Sequence, residues 1–143
     1  MANLKELGPR YEKSELHRDD LDQNPIKQFD QWFQQAAEIS DDANAMTLAT
    51  VNDDYKPSAR IVLLKDYNEN GFVFFTNYES RKGGELSQHP LAALLFWWHE
   101  QGRQVRIEGR VKKLDAQTSD EYFASRTKES NIGAYTSPQS QPI

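Results

Sequence analysis

A chain of 143 residues with no cysteine is the length of one domain with a real core, and it excludes disulfides, thiolate catalysis and cysteine-based metal sites. Hydrophobic residues make up 37% and aromatics 11%, which argues for a folded chain over a disordered one. The formal charge of −5 is uneven: residues 1–57 carry 6 basic and 12 acidic side chains, residues 58–113 carry 9 and 6, and residues 114–143 carry 2 and 4, so the middle suits a small anionic ligand better than a nucleic-acid backbone.

Residues 1–24 are polar and read either as a flexible arm that orders against something else or as a frayed surface tail. They contain no apolar core of a secretory signal, and the longest apolar run, Leu91 to Trp98, falls far short of the ~20 residues a membrane helix needs. No membrane contact is expected, and the cytoplasm is the expected location.

Residues 25–143 are expected to form the domain. Asn24-Pro25 opens a helix, with Asn24 as cap and proline at the first helical position. Ile26, Phe29, Trp32, Phe33, Ala36 and Ala37 follow at three- and four-residue spacing, an apolar stripe that predicts packing on a sheet. Asp41 to Asn44 break the helix, Ala45 to Val51 reads as a first strand, and Asn52-Asp53-Asp54 as a turn.

The second strand, Ser58 to Asp66, contains four consecutive branched aliphatics, which predicts burial on both faces. Tyr67 to Gly71 turns the chain into a strand from Phe72 to Thr76, and Pro90 delivers it into Leu91 to Trp98. From Gln104 to Val111 polar and apolar residues alternate, predicting a strand with one wet face. Short strands joined by hairpin turns predict a mainly β fold, an antiparallel sheet closing into a barrel with packed helices. A further helix is expected from Asp115 through Phe123.

The stretch from Arg60 to Lys82 reads as an anion site. Arg60 and Lys65 lie five residues apart on one strand, so they face opposite sides and stand roughly 16 Å apart along it. Either two anionic groups are bound, or a bulge re-aims one side chain, or both are the solvated ends of a strand. After Thr76, the segment Ser80-Arg81-Lys82 offers a helix start, a hydroxyl and two charges, which suits a phosphate cradle or an ordinary capped surface helix. Tyr122, Arg126 and Ser130 fall on one face of a continued helix, a spacing that holds a phosphate or arises by chance. His17, His89 and His99 match no metal pattern, so no metal is expected, and no nucleophile elbow occurs.

Together, Arg60-Ile61-Val62-Leu63-Leu64-Lys65, Phe75-Thr76-Asn77, Ser80-Arg81-Lys82, Arg103-Gln104-Val105 and Ile132-Gly133-Ala134 resemble the pyridoxine (pyridoxamine) 5'-phosphate oxidase family. The resemblance runs from about Arg10 to the last residue and includes Tyr122-Phe123-Ala124-Ser125-Arg126. It implies an FMN-binding split barrel, a homodimer with the flavin at the subunit interface, and FMN-dependent oxidation of pyridoxamine or pyridoxine 5'-phosphate to pyridoxal 5'-phosphate, with dioxygen giving hydrogen peroxide. On that resemblance Arg60, Thr76, Arg81 and Lys82 anchor the FMN phosphate and ribityl chain. The backbone Arg60-Ile61-Val62-Leu63-Leu64-Lys65 runs along the flavin, and Phe75, Gln104, Gln139 and Ser140 also reach it. Lys65, Tyr122, Arg126 and Ser130 correspond to substrate-phosphate positions, and Arg10-Tyr11 to the segment covering the substrate. No side chain is expected to act as a nucleophile, because the cofactor carries the hydride.

Thr127 stands where the family often has proline. Family members continue beyond the position of Ile143 through strands bearing a Trp and an Arg-x-His motif, so the chain is expected to lack its C-terminal strands. Two other readings compete. One is a non-catalytic split-barrel module that binds flavin or pyridoxal phosphate, and the other is a small barrel binding single-stranded nucleic acid through aromatic and basic strand faces.

Overall fold

The structure, a computed structural model, describes residues 3–8, 15–76 and 81–115 together with Gln117, and of Arg81, Lys82, Gly83 and Ser87 it describes the backbone. Within that range the α-helices and strands are α1 (Pro25–Ile39), β1 (Ala45–Val51), β2 (Pro57–Asn68), β3 (Gly71–Phe74), α2 (Arg81–Gln88), β4 (Leu91–Trp98) and β5 (Arg103–Arg110), with single 3-10 turns at Leu4–Glu6, Arg18–Asp20 and His99–Gln101. The helix expected from Asp115 to Phe123 falls almost wholly outside the described residues.

The start of α1 follows from local chemistry. The Asn24 side chain accepts from the amides of Ile26 at 2.9 Å and Lys27 at 3.3 Å, and Pro25 fills a position whose N–H would have no helical partner. Of the predicted stripe, Phe29 and Ala36 are buried, Trp32 and Phe33 pack against the core, and Ala37 is exposed. Phe29 meets Phe72 and Phe96 edge-on at centroid distances of 5.0 and 5.3 Å. These are the aromatic contacts that fasten the helix to the sheet.

The sheet has the order β3-β2-β1-β4-β5 and every pair is antiparallel. It curls into a half-barrel. Each strand turns one set of side chains toward α1 and α2 and the alternate set away. The inward set includes Met46, Leu48, Val62, Leu64, Leu94, Phe96 and Trp98, all buried. Trp98 completes its burial by donating its indole N–H to the Ala43 carbonyl at 2.9 Å.

The expectation that β2 is buried on both faces requires correction for the described chain. Val62 and Leu64 are 6% and 5% exposed, whereas Ile61 and Leu63 are 63% and 45% exposed. Both described helices lie on the inward side, so the branched residues of the other parity have no layer over them. The alternation on β5 follows the expectation, with Val105 and Ile107 packed against the core and Gln104, Arg106 and Glu108 exposed.

Between β2 and β3 the register jumps: Leu64 pairs with Phe74 and Asp66 with Val73, which makes Lys65 the extra residue of a β-bulge. The bulge resets parity. Tyr67, three residues after inward Leu64, also turns toward α1 and contacts Phe29 at a centroid distance of 4.9 Å. The β2–β3 turn is only Glu69 and Asn70, and Gly71 closes it at φ 144°, a conformation that glycine adopts without strain. Gly102, at φ 62°, plays the same part between β4 and β5.

Candidate functional site

Both faces of β2 carry predicted site residues. Arg60, Val62 and Leu64 point inward, and Ile61, Leu63 and Lys65 point outward, so the two cations, each three residues inside an end of β2, stand on opposite sides of the sheet. Lys65 is itself the bulged residue. Lys65 is exposed, whereas the Arg60 side chain is 18% exposed and is engaged. Its Nη1 donates to the Leu48 carbonyl at 2.9 Å and its Nη2 to Glu85 Oε2 at 3.4 Å. The sequence alone does not announce that acidic partner.

Glu85 sits in α2 and is 5% exposed. Besides Arg60, it accepts from Ser58 Oγ at 3.0 Å and from Thr50 Oγ1. Helix α2 is therefore held to β1 and β2 by one buried carboxylate. Its first two residues are Arg81 and Lys82, so the expected helix start is present, which agrees equally with a phosphate cradle and with an ordinary surface helix. Thr76 and Phe75 follow the end of β3 and are half-buried. By residue type, Arg60, Thr76, Arg81 and Lys82 are the donor kinds that a phosphate monoester takes.

The outward face has a different character. The register sets Ile61, Thr47, Leu95 and Arg106 in one row across four strands, and pairs Leu63 with Ala45 and Trp97 with Gln104 beside it. Ile61, Leu63 and Trp97 are all exposed, and an open groove runs past Ala45, Thr47, Ile61, Leu95 and Trp97. The exposed side chains of Ile61, Leu63 and Trp97 give this face apolar area, with Gln104 paired to Trp97, Lys65 beyond Leu63, and Ser40, Asp42 and His99 also on the groove. Ile61, Leu63, Lys65 and Gln104 therefore share one face, and Arg60, Val62 and Leu64 the other.

Arg10, Tyr11, Tyr122, Arg126, Ser130, Gln139 and Ser140 lie outside the described residues. Among the described residues, no group of His, Asp and Glu side chains could hold a metal ion, and no helix is long and apolar enough to cross a membrane. A second polar cluster joins the C-terminal end of α2 to the β1–β2 turn, where His89 Nε2 lies 2.7 Å from Asp53 Oδ1.

Comparison with known proteins extends these observations. A family model described as Pyridoxamine 5'-phosphate oxidase matches residues 33–143. The pyridoxine/pyridoxamine 5'-phosphate oxidase of Paraburkholderia phytofirmans is 56% identical over 144 residues, which cover 100% of this chain and 68% of that protein. Its namesake from Burkholderia lata is also 56% identical, covering 100% of this chain and 67% of the relative. Among solved structures, PhzG from Burkholderia lata, in complex with tetrahydrophenazine-1-carboxylic acid, matches with a TM-score of 0.83 at 28% identity, covering 92% of this chain and 66% of its own. A pyridoxamine 5'-phosphate oxidase-related, FMN binding protein from Nostoc punctiforme matches with a TM-score of 0.69 at 16% identity, covering 86% and 69%, a likeness that bears on the fold. This chain spans about two thirds of the length of these relatives.

Proposed function

The chain belongs to the pyridoxamine 5'-phosphate oxidase family, and from that premise we propose that it binds FMN and oxidises pyridoxamine 5'-phosphate and pyridoxine 5'-phosphate to pyridoxal 5'-phosphate. Dioxygen is the proposed acceptor and is reduced to hydrogen peroxide; from pyridoxamine 5'-phosphate the oxidation also takes up water and releases ammonia. The proposed working form is a cytoplasmic homodimer with the flavin between subunits. The observation that carries this reading is the opposed placement of Arg60 and Lys65 on β2, which suits two separate phosphates, one on the cofactor and one on the substrate.

The residues fit the cofactor by the chemistry of their donors. Arg60, Thr76, Arg81 and Lys82 would hold its phosphate and ribityl chain, with Gln139 and Ser140 added on the strength of the family resemblance. On the same resemblance the β2 backbone from Arg60 to Lys65, with Phe75 and Gln104, would run along the ring. When bound, FMN supplies the acceptor for the substrate's hydride and the route of the electrons to dioxygen.

The chain's own part is binding and orientation. Lys65, Tyr122, Arg126 and Ser130 would hold the substrate phosphate, and Arg10 and Tyr11 would cover the substrate and exclude water. Gripping both molecules by their phosphates fixes the reacting carbon against the ring, which turns binding energy into orientation. The exposed apolar outward face supports a second copy as its cover, because a monomer seldom leaves such a surface to water. Titrating the purified protein with FMN tests the reading: saturable binding with a perturbed flavin spectrum supports it, and no uptake of FMN contradicts it.

A further inference from the structure

Among the described residues, Glu85 is the one charged side chain that is buried and Thr50 the one uncharged polar side chain, and they bond to each other. A carboxylate out of water is costly unless it is paired and fully hydrogen-bonded. Here it takes the Ser58 hydroxyl on Oε1 at 3.0 Å and, on Oε2, the Thr50 hydroxyl and the Arg60 guanidinium at 3.4 Å. Leu86, the next residue, is also buried, so this side of α2 is pressed against the sheet. Glu85 lies one helical turn after Arg81 and three residues after Lys82.

We propose that Glu85 is a positioning residue for the phosphate end of the flavin site, fixing the Arg60 guanidinium directly and the start of α2 through the helix. The inference rests on the FMN reading above and adds a residue to it. One of the four proposed phosphate and ribityl anchors, Arg60, contacts this carboxylate, and two others, Arg81 and Lys82, open the helix that carries it. Because Glu85 carries a negative charge, it does not itself meet the phosphate. Its charge holds the Arg60 fork in one orientation, and its bonds to Thr50 and Ser58 hold the helix at one height over β1 and β2.

FMN and riboflavin share ring and ribityl chain and differ by the phosphate, so their comparison isolates this end of the site. The experiment titrates wild-type, Glu85→Ala and Glu85→Gln apoprotein with each flavin by fluorescence quenching, alongside thermal melts of the apoproteins. The expected result is that Glu85→Ala weakens FMN by about tenfold or more while riboflavin changes by less than about twofold, since charge-assisted bonds are lost at the phosphate end alone. Glu85→Gln keeps the shape and one acceptor oxygen and recovers part of the loss. Equal weakening of both flavins, no weakening of either, or a wild type that does not distinguish them overturns the positioning role. If Glu85→Ala does not fold, Glu85→Gln decides by the same comparison: selective loss of FMN supports the role, and parallel loss or no loss overturns it. A wild type that binds neither flavin overturns the FMN reading itself, which separates the two failures.

Discussion

The Tyr67 hydroxyl donates to the Asp30 carboxylate at 2.5 Å, tying the strand just beyond the Lys65 bulge to α1. Burial, reinforced by Asp30, pushes the phenol up to about 12 from its ordinary 10.0. A raised folded-state value means that this group's contribution is complete below about pH 10 and is lost as pH rises through about 12, because only the unfolded chain ionises in between. Tyr67→Phe should therefore be less stable than wild type by about 0.5–1.5 kcal/mol at neutral pH. The gap should narrow between about pH 10 and 12. Urea melts of both proteins at pH 8, 10 and 11 measure it, and a gap that widens with pH would contradict the assignment.

Phe29 is 5% exposed and meets Phe33, Tyr67, Phe72, Phe96 and Trp98, so it is where α1 grips the sheet. Phe29→Ala should cost about 3–5 kcal/mol by lost transfer and the cavity left behind. Asn24→Ala, which removes only the cap, should cost about 1 kcal/mol. Denaturant melts that rank these two in the opposite order would show that the helix is held by its end rather than by its face.

How far the sequence carries the fold is visible element by element. The start of α1 and the limits of β1 and β4 are legible, whereas the turn expected from Tyr67 to Gly71 is shorter, since Tyr67 and Asn68 end β2 and Gly71 already begins β3. The one-sided burial of β2 is not legible, since four branched aliphatics in a row show no alternation, and only the position of the helices distinguishes Ile61 from Val62. The bulge is legible only as one way of reconciling Arg60 with Lys65. Glu85 is invisible in sequence because its partners Thr50 and Ser58 lie 35 and 27 residues away, and a lone glutamate in a polar helix ordinarily faces water.

The outward face makes a prediction about assembly. Ile61 is 63% exposed, so a charge there should leave the folded protomer intact. If a second copy covers this face, Ile61→Asp should convert a dimer to a monomer in sedimentation velocity and weaken FMN by about tenfold or more, because a charge buried without a partner opposes association. An unchanged dimer would place the interface elsewhere.

The division between two phosphates is tested by Lys65→Met and Arg126→Ala. Each should raise the KM for pyridoxine 5'-phosphate by about tenfold or more, while the Kd for FMN stays within about twofold, since each removes one charge-assisted contact to the substrate alone. Loss of FMN with an unchanged substrate KM would reverse the assignment.

Oxidation of a phosphorylated pyridoxine through bound FMN is read directly in the flavin spectrum of the purified, FMN-loaded protein. Under anaerobic conditions, pyridoxine 5'-phosphate should bleach the flavin absorbance and form pyridoxal 5'-phosphate in equal amount. Admission of air should restore the absorbance and release hydrogen peroxide. A flavin spectrum indifferent to pyridoxine 5'-phosphate and to pyridoxamine 5'-phosphate would contradict the account and leave a flavin-binding module without this chemistry.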